Sequence, residues 1–325
     1  MSLEGRRARE VPGMKFGIQT SQAHHTWEEM LTFWQELDRN SPFDSLWTVD
    51  HYLTGFGSPA DAGGPYMDGW ALLAALAQAT SRLRVGILVN AVTFRHPAVV
   101  AKMGTTIDHI SGGRFSLGMG AAWHVLEHRA YGFPFPSARE RLERLEEAVH
   151  YIKLLWTSDG PVSWRGRYYE LNEAPFSPRN LQQPHPPIVV GGGGERRTLR
   201  IAARYGDAMN CMGSPETLRH KAEVMRQHCQ SVGRDASQVR VTALVPFLPP
   251  DAEPERRERI VRMFAFGRGE EEARRLVLAG EPDEMLERLH QYAEAGVEEV
   301  YLQPYVRLRP RPFLDFAERV LSRLD

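Results

Sequence analysis

The sequence predicts a (β/α)8 barrel, and three observations carry that expectation. Short apolar runs alternate with helical segments from Met14 to the end of the chain, and eight such runs can be counted. The runs are continuously apolar, as in "LRVGILVNAV" (83–92), which is how strands buried on both faces of a parallel sheet read. Eight βα units in one chain of 325 residues fit a single closed barrel. The competing fold is an open doubly wound sheet; against it, no G-x-G-x-x-G follows the first run.

Each unit has its own grounds. "KFGIQT" (15–20) is the first strand, and "TWEEMLTFWQELDRN" (26–40) is a helix by the spacing of Trp27, Met30, Leu31, Trp34 and Leu37, with Thr26 as N-cap. "FDSLWTVDH" (43–51) is strand-like and "GWALLAALAQATS" (69–81) helical. The third strand, 83–92, precedes a helix that opens on Pro97, a residue suited to a first helical turn. "RFSLGMG" (114–120) is the fourth strand, followed by a short helix and the long amphipathic "SARERLERLEEAVHYIKLLW" (137–156). Residues 161–187 form an insertion, with a hairpin about Trp164–Tyr168, expected to lie over the barrel mouth. "PPIVVGG" (186–192) is the fifth strand, leading into a helix expected to start near Glu195. "DAMNCM", "VRVTALVPFL" and "VEEVYLQPY" complete the set, with Ser214 capping the helix after the sixth strand and an extra helical segment before the eighth. Residues 1–13, polar and Arg-rich, are expected to be a disordered tail, leaving 14–325 as one domain.

Composition narrows the function. The net charge of −1 gives no field that would draw the protein to nucleic acid or a membrane, and no run of 18 apolar residues occurs. Cys211 and Cys229 form no C-x-x-C pair, so a reducing cytoplasm is the expected location.

In a barrel of this kind chemistry belongs at the C-terminal strand ends. The fifth strand ends in Gly191, Gly192, Gly193 and Gly194, then Glu195 and Arg196. Glycines let a ligand approach the backbone, and the free N–H groups of the following helix face an anion, so this segment reads as a phosphate site. Asp50-His51 closes the second strand, where a histidine can move a proton, although alternation does not require Asp50 to orient it. His124, Glu127 and His128 spell H-x-x-E-H, a zinc-peptidase signature. Zinc needs a third protein ligand and an open position, and no acid downstream stands out. No metal is therefore expected, and a zinc-dependent barrel hydrolase is kept only as a distant alternative.

Several stretches in order, "SLWTVDHYL" (45–53), "LVNAVTFRHPAVVAK" (88–102), "GGRFSLGMGAAW" (112–123), "PPIVVGGGGERRTLRIAARYGDAMN" (186–210) and "GEPDEMLERLHQYAEAGVEEVYLQ" (280–303), resemble the bacterial luciferase-like superfamily, and within it the branch that uses coenzyme F420, a deazaflavin. The resemblance implies hydride transfer between F420 and a small organic substrate at the mouth. An FMN-dependent monooxygenase using reduced flavin and oxygen is the alternative. It implies His51 and Asp50 beside the reactive edge of the ring, with Asn90-Ala91 at a bulge that often carries a non-prolyl cis peptide. Thr93 would touch the ring or its side chain, Gly120 and Ala121 would allow close approach, and Gly192–Arg196 would hold phosphate. Sugar-phosphate dehydrogenases of this branch have a glutamate for proton transfer where this chain has Ala121, so Glu127 or His128 is the expected substitute. The resemblance also implies a homodimer and a flavin or F420 reductase that supplies reduced cofactor.

Overall fold

A computed structural model describes residues 13–54 and 63–324; the expected N-terminal tail lies almost wholly outside the described residues. Eight parallel strands close on themselves: β1 (Lys15–Gln19), β2 (Ser45–Thr48), β3 (Arg84–Ala91), β4 (Phe115–Gly120), β7 (Ile188–Gly191), β8 (Ala208–Cys211), β9 (Arg240–Phe247) and β10 (Glu299–Pro304), with β10 returning to β1. The remaining two, β5 (Val162–Arg165) and β6 (Glu170–Ala174), are the expected hairpin. Helices α1 (Trp27–Asn40), α2 (Gly69–Ala79), α3 (Pro97–Ile110), α5 (Ala138–Thr157), α6 (Thr198–Tyr205), α7 (Pro215–Ser231), α10 (Pro282–Glu294) and α11 (Pro310–Arg319) surround the barrel. A short α4 (Val125–Tyr131) follows β4, and α8 (Pro254–Ala265) and α9 (Glu270–Leu276) form the extra segment before β10. No described helix is long and apolar enough to cross a membrane.

Local chemistry sets these boundaries. Thr26 caps α1 in a reciprocal capping box with Glu29, and Ser214 caps α7 ahead of Pro215. Strand alternation then sorts the side chains. Phe16, Ile18, Leu46, Ile87, Leu117, Ile188, Val190, Met209, Val245 and Leu302 face the helices in one core, whereas Trp47, Leu88, Val189, Ala208 and Tyr301 form a second cluster inside the barrel. By the same alternation the inner end of the barrel at the C-terminal side is floored by Gln19, Gly120, Gly191, Asn210, Leu244 and Gln303.

Two expectations are corrected. The 161–187 insertion does not cross the mouth: Trp164 packs on His150 and Tyr151, Arg167 and Tyr168 bond Glu143 and Glu147, and Asn180 and Gln182 reach Thr105 and Asp108. It runs along α5 and α3 on the flank of the barrel. And α6 begins at Thr198, three residues after the expected Glu195. Glu195 is drawn the other way: its carboxylate takes Lys221 Nζ at 2.6 Å and its carbonyl oxygen His228 Nε2 at 2.7 Å, both from α7.

Candidate active site at the barrel mouth

The floor of the mouth is shaped by Val89. A Cβ at Gly118, Gly120 or Gly191 would stand 2.9, 2.5 and 2.7 Å from its methyl groups. These glycines therefore make room for Val89, and Val89, half-buried, is what the inner floor presents upward. Gln19, also at the floor, donates Nε2 to the Leu88 carbonyl at 2.6 Å. The non-prolyl cis peptide is Leu88–Val89, not Asn90-Ala91, beside a register shift between Ile87 and Asn90. That shift turns Asn90 outward. Its Oδ1 accepts from Trp70 Nε1 at 3.2 Å and its Nδ2 meets Met119 Sδ, on the helix side of the wall. The side chain of Asn90 thus does not face the mouth, a correction to its expected cofactor contact.

At the end of β2, Asp50 is spent on structure. Its carboxylate takes both of its short bonds from Arg95 Nη1, at 2.7 and 2.9 Å, and a third from the Ala91 N–H at 3.0 Å. Burial works against the Arg95 charge, but Asp50 outweighs it and holds the guanidinium above its ordinary value. Arg95 Nη2 continues to Tyr52 Oη and Asp68, and burial pushes the Tyr52 hydroxyl up to about 12, so it stays protonated at neutral pH. Asp50 is therefore an anchor between β2 and β3; its expected catalytic role has no free carboxylate oxygen to work through.

His51 is different. Its Nδ1 lies 3.0 Å from Glu127 Oε2, while Glu127 Oε1 accepts the backbone N–H groups of Tyr52 and Leu53. Glu127 is fully buried. Burial pushes its carboxyl up, but the bond and charge of His51 with the Tyr52 N–H outweigh it and leave it below its ordinary range, hence ionised. A carboxylate only accepts, so His51 Nδ1 carries hydrogen and donates to it, and Nε2 is the ring nitrogen that Glu127 does not engage. Nε2 has no hydrogen-bond partner among the described residues, and the His51 ring is partly exposed, edge-on to the half-exposed Trp123 at 5.5 Å.

The rest of H-x-x-E-H forms a second, separate arrangement. His128 Nδ1 lies 2.8 Å from the His124 carbonyl oxygen and Nε2 2.7 Å from Thr93 Oγ1. A carbonyl cannot donate, so Nδ1–H donates to it; burial lowers the His128 pKa, so the ring is neutral and Nε2 accepts from the Thr93 hydroxyl. His124 caps α4. With one histidine capping and the other bonded at both nitrogens, the signature has no lone pairs left to converge, and among the described residues no cluster of three metal-ligating side chains occurs.

The glycine segment is open. Gly192, Gly193 and Gly194 are exposed, Gly192 has φ of 124°, and a Cβ at Gly194 would meet Thr198 Oγ1 at 2.9 Å. Lys221 lies beside Gly193, 3.9 Å from where its Cβ would stand. Backbone N–H groups, the Thr198 hydroxyl and the Lys221 ammonium make a donor set that fits a phosphate. Glu195 neutralises part of it by pairing with Lys221 and His220, so it shapes the loop and is not itself a phosphate donor. Arg196 is exposed, while Arg197 pairs with Glu143. Arg141, which nothing in the sequence singled out, fixes the β4 end by donating Nε to the Ala121 carbonyl at 3.0 Å. Cys211, at the β8 end, is buried, and burial pushes its thiol up to about 11, so it is no nucleophile. Beside the mouth, a cleft of about 550 Å³ is lined by Thr93, His96, Phe135, Arg144 and Tyr169.

A closed parallel barrel with an open glycine loop and a carboxylate-held histidine at its C-terminal face defines an enzyme of the cofactor-binding barrel class. The chain matches the luciferase-like monooxygenase family over residues 14–275, and it belongs to that family. It is 28% identical over 307 residues to the F420-dependent glucose-6-phosphate dehydrogenase of Amycolatopsis mediterranei, covering 86% of this chain and 90% of that one. It is 30% identical over 190 residues to the pyrimidine monooxygenase RutA of Cronobacter sakazakii, covering 56% of this chain and 54% of that one. A solved F420-dependent secondary alcohol dehydrogenase, bound to an F420-acetone adduct, shares the fold at a TM-score of 0.82 and 20% identity, over 95% of this chain and 99% of that one.

Proposed function

We propose that the protein is an F420-dependent oxidoreductase whose ring-binding site is the barrel mouth and whose proton carrier is His51. The observation that carries the reading is the His51–Glu127 couple: a buried carboxylate holds one ring nitrogen of a partly exposed histidine at the C-terminal end of β2. The two F420-dependent relatives named above support F420 as cofactor, while the pyrimidine monooxygenase keeps FMN as the alternative. Bound there, a deazaflavin would supply a carbon that gives or takes a hydride.

The chain's own residues would do the rest. Gly192–Gly194, Thr198 and Lys221 would hold the phosphate, and Val89 with Gln19, Gly120 and Gly191 would support the flat ring. The Thr93 hydroxyl, its hydrogen committed to His128, turns its lone pairs to any donor on the ring. His51 Nε2 would take the proton from a substrate hydroxyl, or return it to a carbonyl oxygen, with Glu127 stabilising the cationic ring. This couple supplies what Ala121 lacks. A homodimer, and a reductase that delivers reduced cofactor, belong to the same proposal.

The test is binding of F420 and of FMN, each added alone to the purified protein and followed by fluorescence quenching. F420 binding with weak or absent FMN binding is expected. Tight FMN binding without F420 binding would replace this reading with the FMN-dependent monooxygenase of the same family.

A further inference from the structure

The glycine segment after β7 carries an acid that a loop built to hold an anion does not need. Glu195 directly follows Gly194, and its carboxylate is turned to α7, where Oε1 accepts Lys221 Nζ at 2.6 Å and lies 3.1 Å from His220 Nε2. Its carbonyl oxygen accepts from His228 Nε2 at 2.7 Å. Three side chains of one helix thus fix this residue through its backbone and its carboxylate together. The Lys221 ammonium holds the Glu195 carboxyl below its ordinary range, so it is ionised at neutral pH. Lys221 is itself largely buried, so its ammonium has little freedom to leave the pair for another anion.

This arrangement limits the charge that the segment accepts. Lys221 is the cation beside the glycines, with Cε 3.9 Å from where a Cβ at Gly193 would stand. Arg197, just before α6, is matched in the same way by Glu143 at 3.4 Å. Arg196 is exposed and has no carboxylate partner among the described residues, so it gives the segment one free positive charge. A phosphate at Gly192–Gly194 would meet backbone N–H groups, the Thr198 hydroxyl, and an ammonium that already carries a carboxylate. Neutral donors satisfy phosphate oxygens but cancel no net charge. A phosphomonoester carries close to two negative charges at neutral pH, whereas a phosphodiester, with no second acidic proton, carries one. The second charge of the monoester faces the Glu195 carboxylate without a cation of its own. One unmatched charge about 7 Å away in a half-solvated site changes affinity about tenfold.

We infer that Glu195 determines which phosphate the glycine segment accepts: by holding Lys221 it makes the segment select a phosphodiester over a phosphomonoester. The inference rests on the F420 reading above and names the residue that separates the two cofactors. F420 joins its ring to its tail through a phosphodiester, whereas FMN ends in a phosphomonoester. Glu195 does not contact the ring in this scheme and takes no part in hydride transfer. It acts through Lys221, and its effect is on the ratio of two affinities.

The test uses two flavins that share one ring and differ by one phosphate charge, FMN and its methyl phosphodiester, with F420 as a third probe. Fluorescence quenching reads each affinity at about pH 7.5, where the monoester is doubly charged, and at about 50 mM salt, where screening is weak. The parent should bind the methyl diester about tenfold tighter than FMN. Glu195→Gln should tighten FMN about tenfold and leave the diester within about threefold, so that the preference disappears. Lys221→Gln leaves the Glu195 charge unpaired and should weaken FMN more than the diester. A loop that is merely loosened weakens both flavins alike, so the ratio reports charge. Equal affinities in the parent, or a preference for FMN, overturn the inference, and F420 binding in the same experiment leaves the cofactor reading standing. A preference that survives Glu195→Gln overturns the role of Glu195. A diester preference that Glu195→Gln removes, without F420 binding, supports the inference and removes the F420 reading. Where F420 binds and neither flavin does, the 5′-monoester of the deazaflavin and its methyl diester replace them under the same criteria. Binding of none of these probes overturns both readings. Glu195→Ala gives the same comparison if the glutamine variant does not melt cooperatively.

Discussion

Replacing Glu127 by glutamine changes one atom and reverses the polarity of the bond to His51. The carboxylate now makes three bonds, from the Tyr52 and Leu53 N–H groups to Oε1 and from His51 Nδ1 to Oε2. In Glu127→Gln the amide oxygen can keep both backbone donors. The amide nitrogen then faces His51 Nδ1 and, being a donor, forces the ring hydrogen onto Nε2. The histidine loses its lone pair toward the mouth and the negative charge that stabilises its cation. Exchanging a charge-assisted bond for a neutral one costs about 1–2 kcal/mol of stability, partly offset because a buried charge is removed. The rate of proton-coupled hydride transfer should fall about 10²- to 10⁴-fold, the range of a general acid–base group. Single-turnover loss of deazaflavin absorbance measures the rate, and nitrogen NMR of the His51 ring reports the tautomer. A variant whose ring has switched to the Nε2–H form but whose rate stays within about threefold of the parent would refute the assignment of His51 as proton carrier. There is a pH signature too. The Glu127 carboxyl is held below its ordinary range in the folded state, so its contribution to stability is present above about pH 4.3 and is lost as pH falls through the lowered folded value. Glu127→Gln should lose that acid-side dependence.

Three further outcomes follow from the same geometry. Gly193→Asp should abolish cofactor binding and leave the melting temperature nearly unchanged, since a Cβ there meets nothing nearer than Lys221 Cε at 3.9 Å while the carboxylate repels a phosphate; unchanged F420 quenching would place the phosphate elsewhere. Gly120→Ala should destabilise by about 1–3 kcal/mol in urea unfolding because its methyl group collides with Val89, and Val89→Ala in the same chain should restore part of that loss; additive losses in the double variant would refute the contact. Burial lowers the pKa of His25, His96, His128 and His150, so the unfolded chain binds more protons than the folded one below about pH 6.5. Urea midpoints should therefore fall from about pH 7.5 to about pH 5.5, by less in His128→Gln than in the parent.

What the sequence disclosed and what it concealed divide along a physical line. The barrel was legible because its signals are local: continuous apolar runs, the Thr26 and Ser214 caps, and Pro97 at a helix start all act within a few residues. The site depends on contacts between distant residues, and no local pattern encodes those. His51 and Glu127 are 76 positions apart, and Arg95 reaches Asp50 across 45; both ends of the first pair were candidates, but nothing in the spacing joins them. Asn90 was misplaced because a single register shift after Ile87 exchanges the faces of the strand. The strand glycines were read as room for a ring, since a sequence shows a missing side chain but not the neighbour, Val89, that fills the space. Lys221 reaches the glycine loop from α7, which carries no sign of it in sequence.

H-x-x-E-H shows the same division in miniature. Helical spacing can place two imidazoles on one face, and that much is legible. Whether they ligate depends on where their nitrogens are spent. Here His124 occupies the cap position of α4, which requires a side-chain acceptor for the Glu127 N–H. His128, one turn later, lies next to the His124 carbonyl oxygen at the start of that helix and bonds it through Nδ1, sending Nε2 to Thr93. The start of the helix thus consumes both histidines, and Glu127 between them is turned toward β2. The spacing that suggests a metal instead delivers one buried carboxylate to His51.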